Sequence, residues 1–239
     1  MKMNRIVTDT CPLKKIEGHL VVEMDGKNFL FDLSYWHSWG PIRSRVLTDG
    51  SVRRSWFVKG RHICLLPMFK DLKLDGVIGA DLVEDANFTI NLPKGEITFT
   101  TENIEEDEDT DHPWGDHVLS TLDVKAEGKW VKAILATGLP CSMFLYDAFE
   151  WKQPEGGVRW HGPLFSVHDS LFTKRKIELC EVEMELDAGA ISKGGWSEVS
   201  FGDAVVVLGN EVFDRFEVFF NMRNKYKSLR FTEIERKEG

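Results

Sequence analysis

Apolar and polar residues alternate in short runs along most of the chain. GHLVVEMD, KNFLFDLS, SWFVKG and NFTINLPKGEITFT carry a period of two up to residue 100. HVLSTLDVKAEG, KWVKAILATG, KIELCEVEME and RFEVFFNMRNKYKSLRFT carry it from residue 117 onward. A period of two marks strands with one buried face. Turn signals separate the runs at Asp25-Gly26, Asp49-Gly50, Pro93-Lys94-Gly95, Glu127-Gly128 and Gly156-Gly157. Helical periodicity is confined to two short pieces, 80–86 and 210–216. The pattern predicts a mainly β fold.

The two halves of the chain repeat one another. GVIGADLVEDANFTINL from residue 76 aligns without a gap with VVLGNEVFDRFEVFFNM from residue 206, an offset of 130. Gly79 falls on Gly209, Leu82 on Val212, Phe88 on Val218, Ile90 on Phe220 and Asn91 on Asn221. Upstream, FLFDLSYWHS ends at Ser38 and AILATGLPCS ends at Ser142, an offset of 104 that places Asp32 on Ala136. The difference of 26 between the offsets predicts an insertion in the second half, within 150–200. Internal repetition on this scale argues for two similar structural units. Between them lies ENIEEDEDTD, 102–111, with seven acids and no base. Such a run reads as a solvated connector, and Pro113 and Gly115 extend it. The expected division is a first lobe over 1–101, an acidic linker over 102–117 and a second lobe over 118–239.

The loops at Asp32 and Ala136, followed in each half by apolar-apolar-Gly (Val77-Ile78-Gly79 and Val207-Leu208-Gly209), resemble the aspartic proteases of the retropepsin-like and pepsin-like group. The resemblance spans about 16–100 and 118–232. It implies two retropepsin-like β-barrel lobes related by an internal pseudo-twofold repeat, a pepsin-like bilobal architecture. It also implies one catalytic Asp from each lobe at their junction. Two such carboxyls cannot both ionise at close range, so they share a proton and act as a unit, one as base and one as acid.

The chain departs from that pattern at both loops. Asp32 is present, but Leu33-Ser34 stands where the family has Thr-Gly, and Tyr35 and Trp36 add bulk. Thr137 and Gly138 are retained, but Ala136 stands at the position of the second Asp. A lone Asp32 cannot serve as both acid and base. The resemblance therefore implies an aspartic-protease-like protein without efficient peptidase activity, binding an extended peptide or protein segment in the inter-lobe cleft. Ala136 is read as natural decay of the site. The alternative is an aspartic endopeptidase whose second catalytic Asp has been replaced, and a third reading has the cleft filled by Tyr35 and Trp36. Substrate contacts are expected from Ser34 and Trp36, from a flap hairpin around Asp49-Gly50 backed by Trp56, and from Trp160 in a second hairpin. Without a second carboxylate, burial is expected to raise the Asp32 pKa.

Composition narrows the remaining chemistry. A net charge of −9, mostly in the acidic run, argues against nucleic-acid binding. No apolar run approaches the length of a membrane span, and the polar start of the sequence, with no visible leader, predicts a cytoplasmic protein. Cys11, Cys64, Cys141 and Cys180 fit no zinc spacing, so neither a metal nor a cofactor is expected. Cys141 is read as a packing residue. His168-Asp169-Ser170 places triad residue types side by side, where they cannot converge, and reads as a polar loop. The sequence gives no sign of oligomeric state.

Overall fold

The computed structural model describes residues 6–34, 38–44, 46–47, 71–84, 86–103, 112–113, 121–151, 156–161, 167–191, 203–223 and 228–235, with the backbone path alone at 112–113, 156–161 and 167–171. The first half opens with β1 (Thr8–Ile16), β2 (His19–Met24) and β3 (Lys27–Phe31), a meander of antiparallel neighbours. Its turns, Glu17-Gly18 and Asp25-Gly26, each place two successive residues at positive φ, between +48° and +81°. That backbone twist matches the twist of the strands it joins. β3 then runs parallel to β4 (Gly76–Ile78), which leads into a one-turn helix, α1 (Ala80–Val83). β5 (Asn87–Asn91) and β6 (Glu96–Thr100) follow as a hairpin turned at Gly95, and β6 returns to pair with β1.

The second half repeats this order. After β7 (His112–Pro113), β8 (Thr121–Ala126) and β9 (Lys129–Leu135) form a hairpin about Glu127-Gly128. β9 runs parallel to β14 (Val206–Leu208), which leads into a 3-10 turn over Asn210–Asp214 and then the hairpin of β15 (Phe216–Asn221) and β16 (Ser228–Glu233). The expected insertion is occupied by β11 (Gly156–His161), β12 (Val167–Leu179) and β13 (Val182–Ile191). β10 (Ser142–Leu145) pairs with both β13 and β14. Because β12 also pairs with β8, the strands β8-β9-β14-β10-β13-β12 close into a barrel. The fold is therefore mainly β and bilobal, with a pseudo-twofold internal repeat, as the pattern predicts.

The symmetry is visible in the registers. Phe29, Leu30 and Phe31 lie opposite Gly76, Val77 and Ile78, and Ala133, Ile134 and Leu135 lie opposite Val206, Val207 and Leu208. The first set becomes the second on adding the two sequence offsets, 104 and 130. β5 and β15 pair across the halves, with Thr89 opposite Phe219, its own counterpart. The local twofold axis passes through that pair. Beside it Phe88 stacks on Phe220, with centroids 4.3 Å apart and planes 14° from parallel, and Phe31 meets Phe88 edge-on at 5.4 Å. One buried apolar cluster runs from Leu13 through these rings to Phe144 and Leu208 of the second half. The halves therefore share a core rather than a wetted interface.

Two local expectations are corrected, and a third segment gains a strand partner. Gly156-Gly157 is not a turn but the start of β11, opposite Phe172 and Leu171 of β12. His168-Asp169-Ser170 is not a loop but part of β12, opposite Trp160, Arg159 and Val158. Residues 112–113, inside the expected linker, form β7 and pair with β16. In each case a strand partner supplies backbone hydrogen bonds that local composition does not reveal.

The β1–β2 turn also locks the halves together. Asn210 Nδ2 donates to Gly18 O at 3.0 Å, and Lys15 Nζ meets Asp214 at 2.6 Å. A Cβ added to Gly18, at φ +81°, would lie 2.4 Å from Pro140 Cβ. Gly18→Ala is expected to cost about 2–4 kcal/mol, from left-handed strain plus overpacking. Gly26→Ala has similar φ (+70°) and nothing within 4 Å of the new Cβ, so only the backbone part should remain. Urea midpoints of the two variants measure the difference, and equal losses would remove the packing contribution.

Candidate functional site

The site grows from the ends of two symmetry-related strands. Phe29-Leu30-Phe31 and Ala133-Ile134-Leu135 are all buried, so each strand is fixed on both faces before its loop begins. Asp32 N–H donates to Ile78 O at 3.1 Å, and Ala136 N–H donates to Leu208 O at 2.9 Å. These are the same bond in the two halves, and they set Asp32 and Ala136 in equivalent places. Across the axis Leu33 N–H donates to Thr137 Oγ1 at 2.9 Å. Leu33 and Thr137 are counterparts, 104 residues apart, yet only Thr137 has a hydroxyl to offer. The bond is consequently one-sided.

Asp32 reaches over the axis into the space left by Gly138. A Cβ built on Gly138 would lie 2.1–2.2 Å from Oδ2, Cγ and Oδ1 of Asp32. Within its own loop the carboxylate accepts from Ser34 N–H at 2.9 Å and from Ser34 Oγ at 2.6 Å, both on Oδ1. Asp32 is 4% exposed. Burial pushes its pKa up to about 6, against the two Ser34 hydrogen bonds, which favour the ionised form. The cause is desolvation, as expected of a carboxyl with no second acid beside it among the described residues.

A second pair of acids, not singled out in the sequence, supports both loops. Ser38 donates through its N–H and Oγ to Asp81 Oδ1 at 2.8 and 2.5 Å, while Gly79 N–H donates to Ser38 Oγ at 2.7 Å. In the second half Ser142 donates through its N–H to Glu211 Oε1 at 3.2 Å and through Oγ to Oε2 at 3.0 Å. Gly209 N–H donates to Ser142 Oγ at 3.0 Å. Each serine thus ties the end of its active-loop segment to the acid just after the apolar-apolar-Gly turn. Partial burial raises the Glu211 pKa to about 7, opposed by the Ser142 hydrogen bonds and the charge of Lys15. The available signal was an acid at the same offset, 130, in both repeats.

Of the expected site residues, Asp32, Ser34, Ala136, Thr137 and Gly138 come together at the axis. Trp36, Asp49, Gly50 and Trp56 lie outside the described residues. Trp160 lies on β11 opposite His168, in a hairpin with β12. Cys141 is buried, and desolvation followed by the charges of Glu211 and Asp187 pushes its thiol up to about 12, which suits packing and not nucleophilic attack. Among the described residues no three His, Cys, Asp or Glu side chains group to hold a metal ion, and no helix is long and apolar enough to cross a membrane.

No known family matches the chain by sequence, and no curated protein matches it. Among solved structures it is similar to an aspartic proteinase from Irpex lacteus, at 11% identity over 95% of this chain and 98% of that one, with a TM-score of 0.48. It is also similar to conglutin gamma, a basic 7S globulin from lupine seeds, at 9% identity over 96% of both chains, with a TM-score of 0.46. Values this low say nothing about chemistry. The bilobal, aspartic-protease-like reading of the fold rests on the strand order and registers above.

Proposed function

We propose that this protein binds an extended peptide or protein segment between its lobes and does not cleave it efficiently. The observation that carries this reading is that, among the described residues, a single carboxyl lies at the twofold axis. Asp32 fills the space beside Gly138, and its counterpart Ala136 has no proton to give or take. Aspartic proteolysis needs a base for the water and an acid for the carbonyl in the same step. A lone carboxyl supplies one of these at a time. Protonated, Asp32 can donate a hydrogen bond to a peptide carbonyl, while the strand-edge backbone supplies the rest of the recognition.

This reading predicts pH-dependent binding. A peptide selected from a library at pH 5 should bind about tenfold more weakly at pH 7.5, the worth of one hydrogen bond lost as Asp32 ionises. Asp32→Asn keeps a donor at all pH values and should level the profile. Titration by fluorescence anisotropy reads both. A peptide bound equally at both pH values, or unaffected by Asp32→Asn, would place the contact elsewhere.

The second reading, an endopeptidase with its second Asp replaced, draws on the intact Thr137-Gly138 loop and its hydrogen bond from Leu33. Proteolysis of a mixed peptide library at pH 3 to 7 by Ala136→Asp, inhibited by a pepstatin-type compound, would favour it.

A further inference from the structure

We propose that Ser34 occupies the seat of the second carboxylate, so that this is a site built around one acid and not a two-acid site with one member removed. The inference goes beyond peptide binding and does not depend on it.

The symmetry at the axis is close enough to carry positions across. Leu33 hydrogen-bonds its own counterpart, Thr137, and residues 32 and 136 donate to the counterpart carbonyls of Ile78 and Leu208. In one direction the Asp32 carboxylate lies where a Cβ of residue 138 would be, at 2.1–2.2 Å, and residue 138 is Gly. In the other direction the residue facing position 136 is Ser34, the counterpart of Gly138 at the offset of 104. Carried across the axis, the carboxylate of an aspartate at 136 falls on the Ser34 Cβ. Two non-bonded heavy atoms cannot approach so closely, and although Ser34 itself is exposed, its Cβ is fixed by the backbone and cannot rotate away.

Ser34 also substitutes for what it excludes. Its Oγ donates to Asp32 Oδ1 at 2.6 Å. In a two-acid site, the proton shared with Asp32 comes from a carboxyl across the axis. Here a hydroxyl from the same loop satisfies Asp32 instead. Ala136 is then the residue that fits beside Ser34, and the two positions are expected to change together.

The test is the melting temperature at pH 7.5 of four proteins: the unaltered chain, Ser34→Gly, Ala136→Asp and the double variant. Ala136→Asp should lower the midpoint by about 4–10 °C when Ser34 is present. It should cost less than half of that in the Ser34→Gly background. Repulsion between the two carboxylates is present in both backgrounds and cancels from the comparison. If Ala136→Asp does not accumulate as folded protein, Ala136→Asn, its uncharged isostere, is measured in the same two backgrounds. An equal drop in both backgrounds would overturn the proposal. No peptide is involved, so this outcome is independent of whether the protein binds one.

Discussion

Gly138→Ala is expected to be among the most destabilising single substitutions available to this protein, costing about 4 kcal/mol. The new methyl lands on the Asp32 carboxylate, within 2.2 Å of three of its atoms. The acid must then swing away, losing both hydrogen bonds from Ser34 while staying buried. Overpacking alone costs about 1–3 kcal/mol, and stranding a buried charged group adds a similar amount. The cause can be separated from a general intolerance of the loop by adding Asp32→Ala. That change empties the space the methyl needs, so the double variant should recover at least ~2 kcal/mol of the loss, a coupling typical of contacting side chains. Urea unfolding of the four proteins of this cycle measures it. Simple additivity would mean that the loop backbone, and not the carboxylate, resists the substitution.

The repeat was legible because its two halves keep the same apolar-apolar-Gly turn, and the offsets of 104 and 130 reappear as strand registers. Asp25-Gly26 and Glu127-Gly128 were legible as turns because glycine marks a left-handed backbone. The β12–β13 turn was not, since Cys180 and Glu181 take φ of +49° and +65° without a glycine between them. β1 lies outside the alternating runs of the sequence. Pro12 argues against a central strand, yet β1 pairs with β6 over Thr8–Pro12 and with β2 over Leu13–Ile16. The proline sits where the strand leaves one partner for the other, and Leu13 N–H picks up Gly95 O at 2.8 Å.

The site divides in the same way. Asp32, Ala136, Thr137 and Gly138 could be found because each loop is contiguous in sequence. The serine–acid ties are distant in sequence, 43 residues for Ser38 and Asp81 and 69 for Ser142 and Glu211, and the sequence relates the two pairs only through the repeat offsets of 104 and 130. The insertion that holds β11 to β13 separates the second pair and leaves its geometry unchanged. The contribution of Ser34 was hidden for another reason. A serine in place of a glycine reads as a worn motif until the carboxylate opposite Gly138 shows what that glycine makes room for.

Asp32 and Glu211 together should make the protein less stable as pH rises from about 4 to 8. Both carboxyls titrate higher in the folded chain, near 6 and 7, than their ordinary values of 3.8 and 4.5. Between those limits the folded state holds protons that the unfolded state has released, so the free energy of unfolding falls with pH. Their contribution to stability is complete below about pH 4 and is lost as pH passes through the folded values. Asp32 accounts for on the order of 3 kcal/mol across the window. Glu211, partly open to solvent, contributes less than its shift alone suggests. Urea unfolding of the unaltered chain at pH 4.5 and pH 8 should show the fall, and Asp32→Asn with Glu211→Gln should flatten most of it. The same proton on Asp32 that favours the folded state is the one that, in the proposed function, is offered to a peptide carbonyl. Stability that instead rises with pH over this range would mean that neither carboxyl is desolvated enough to hold its proton, and the case for pH-dependent binding would fall with it.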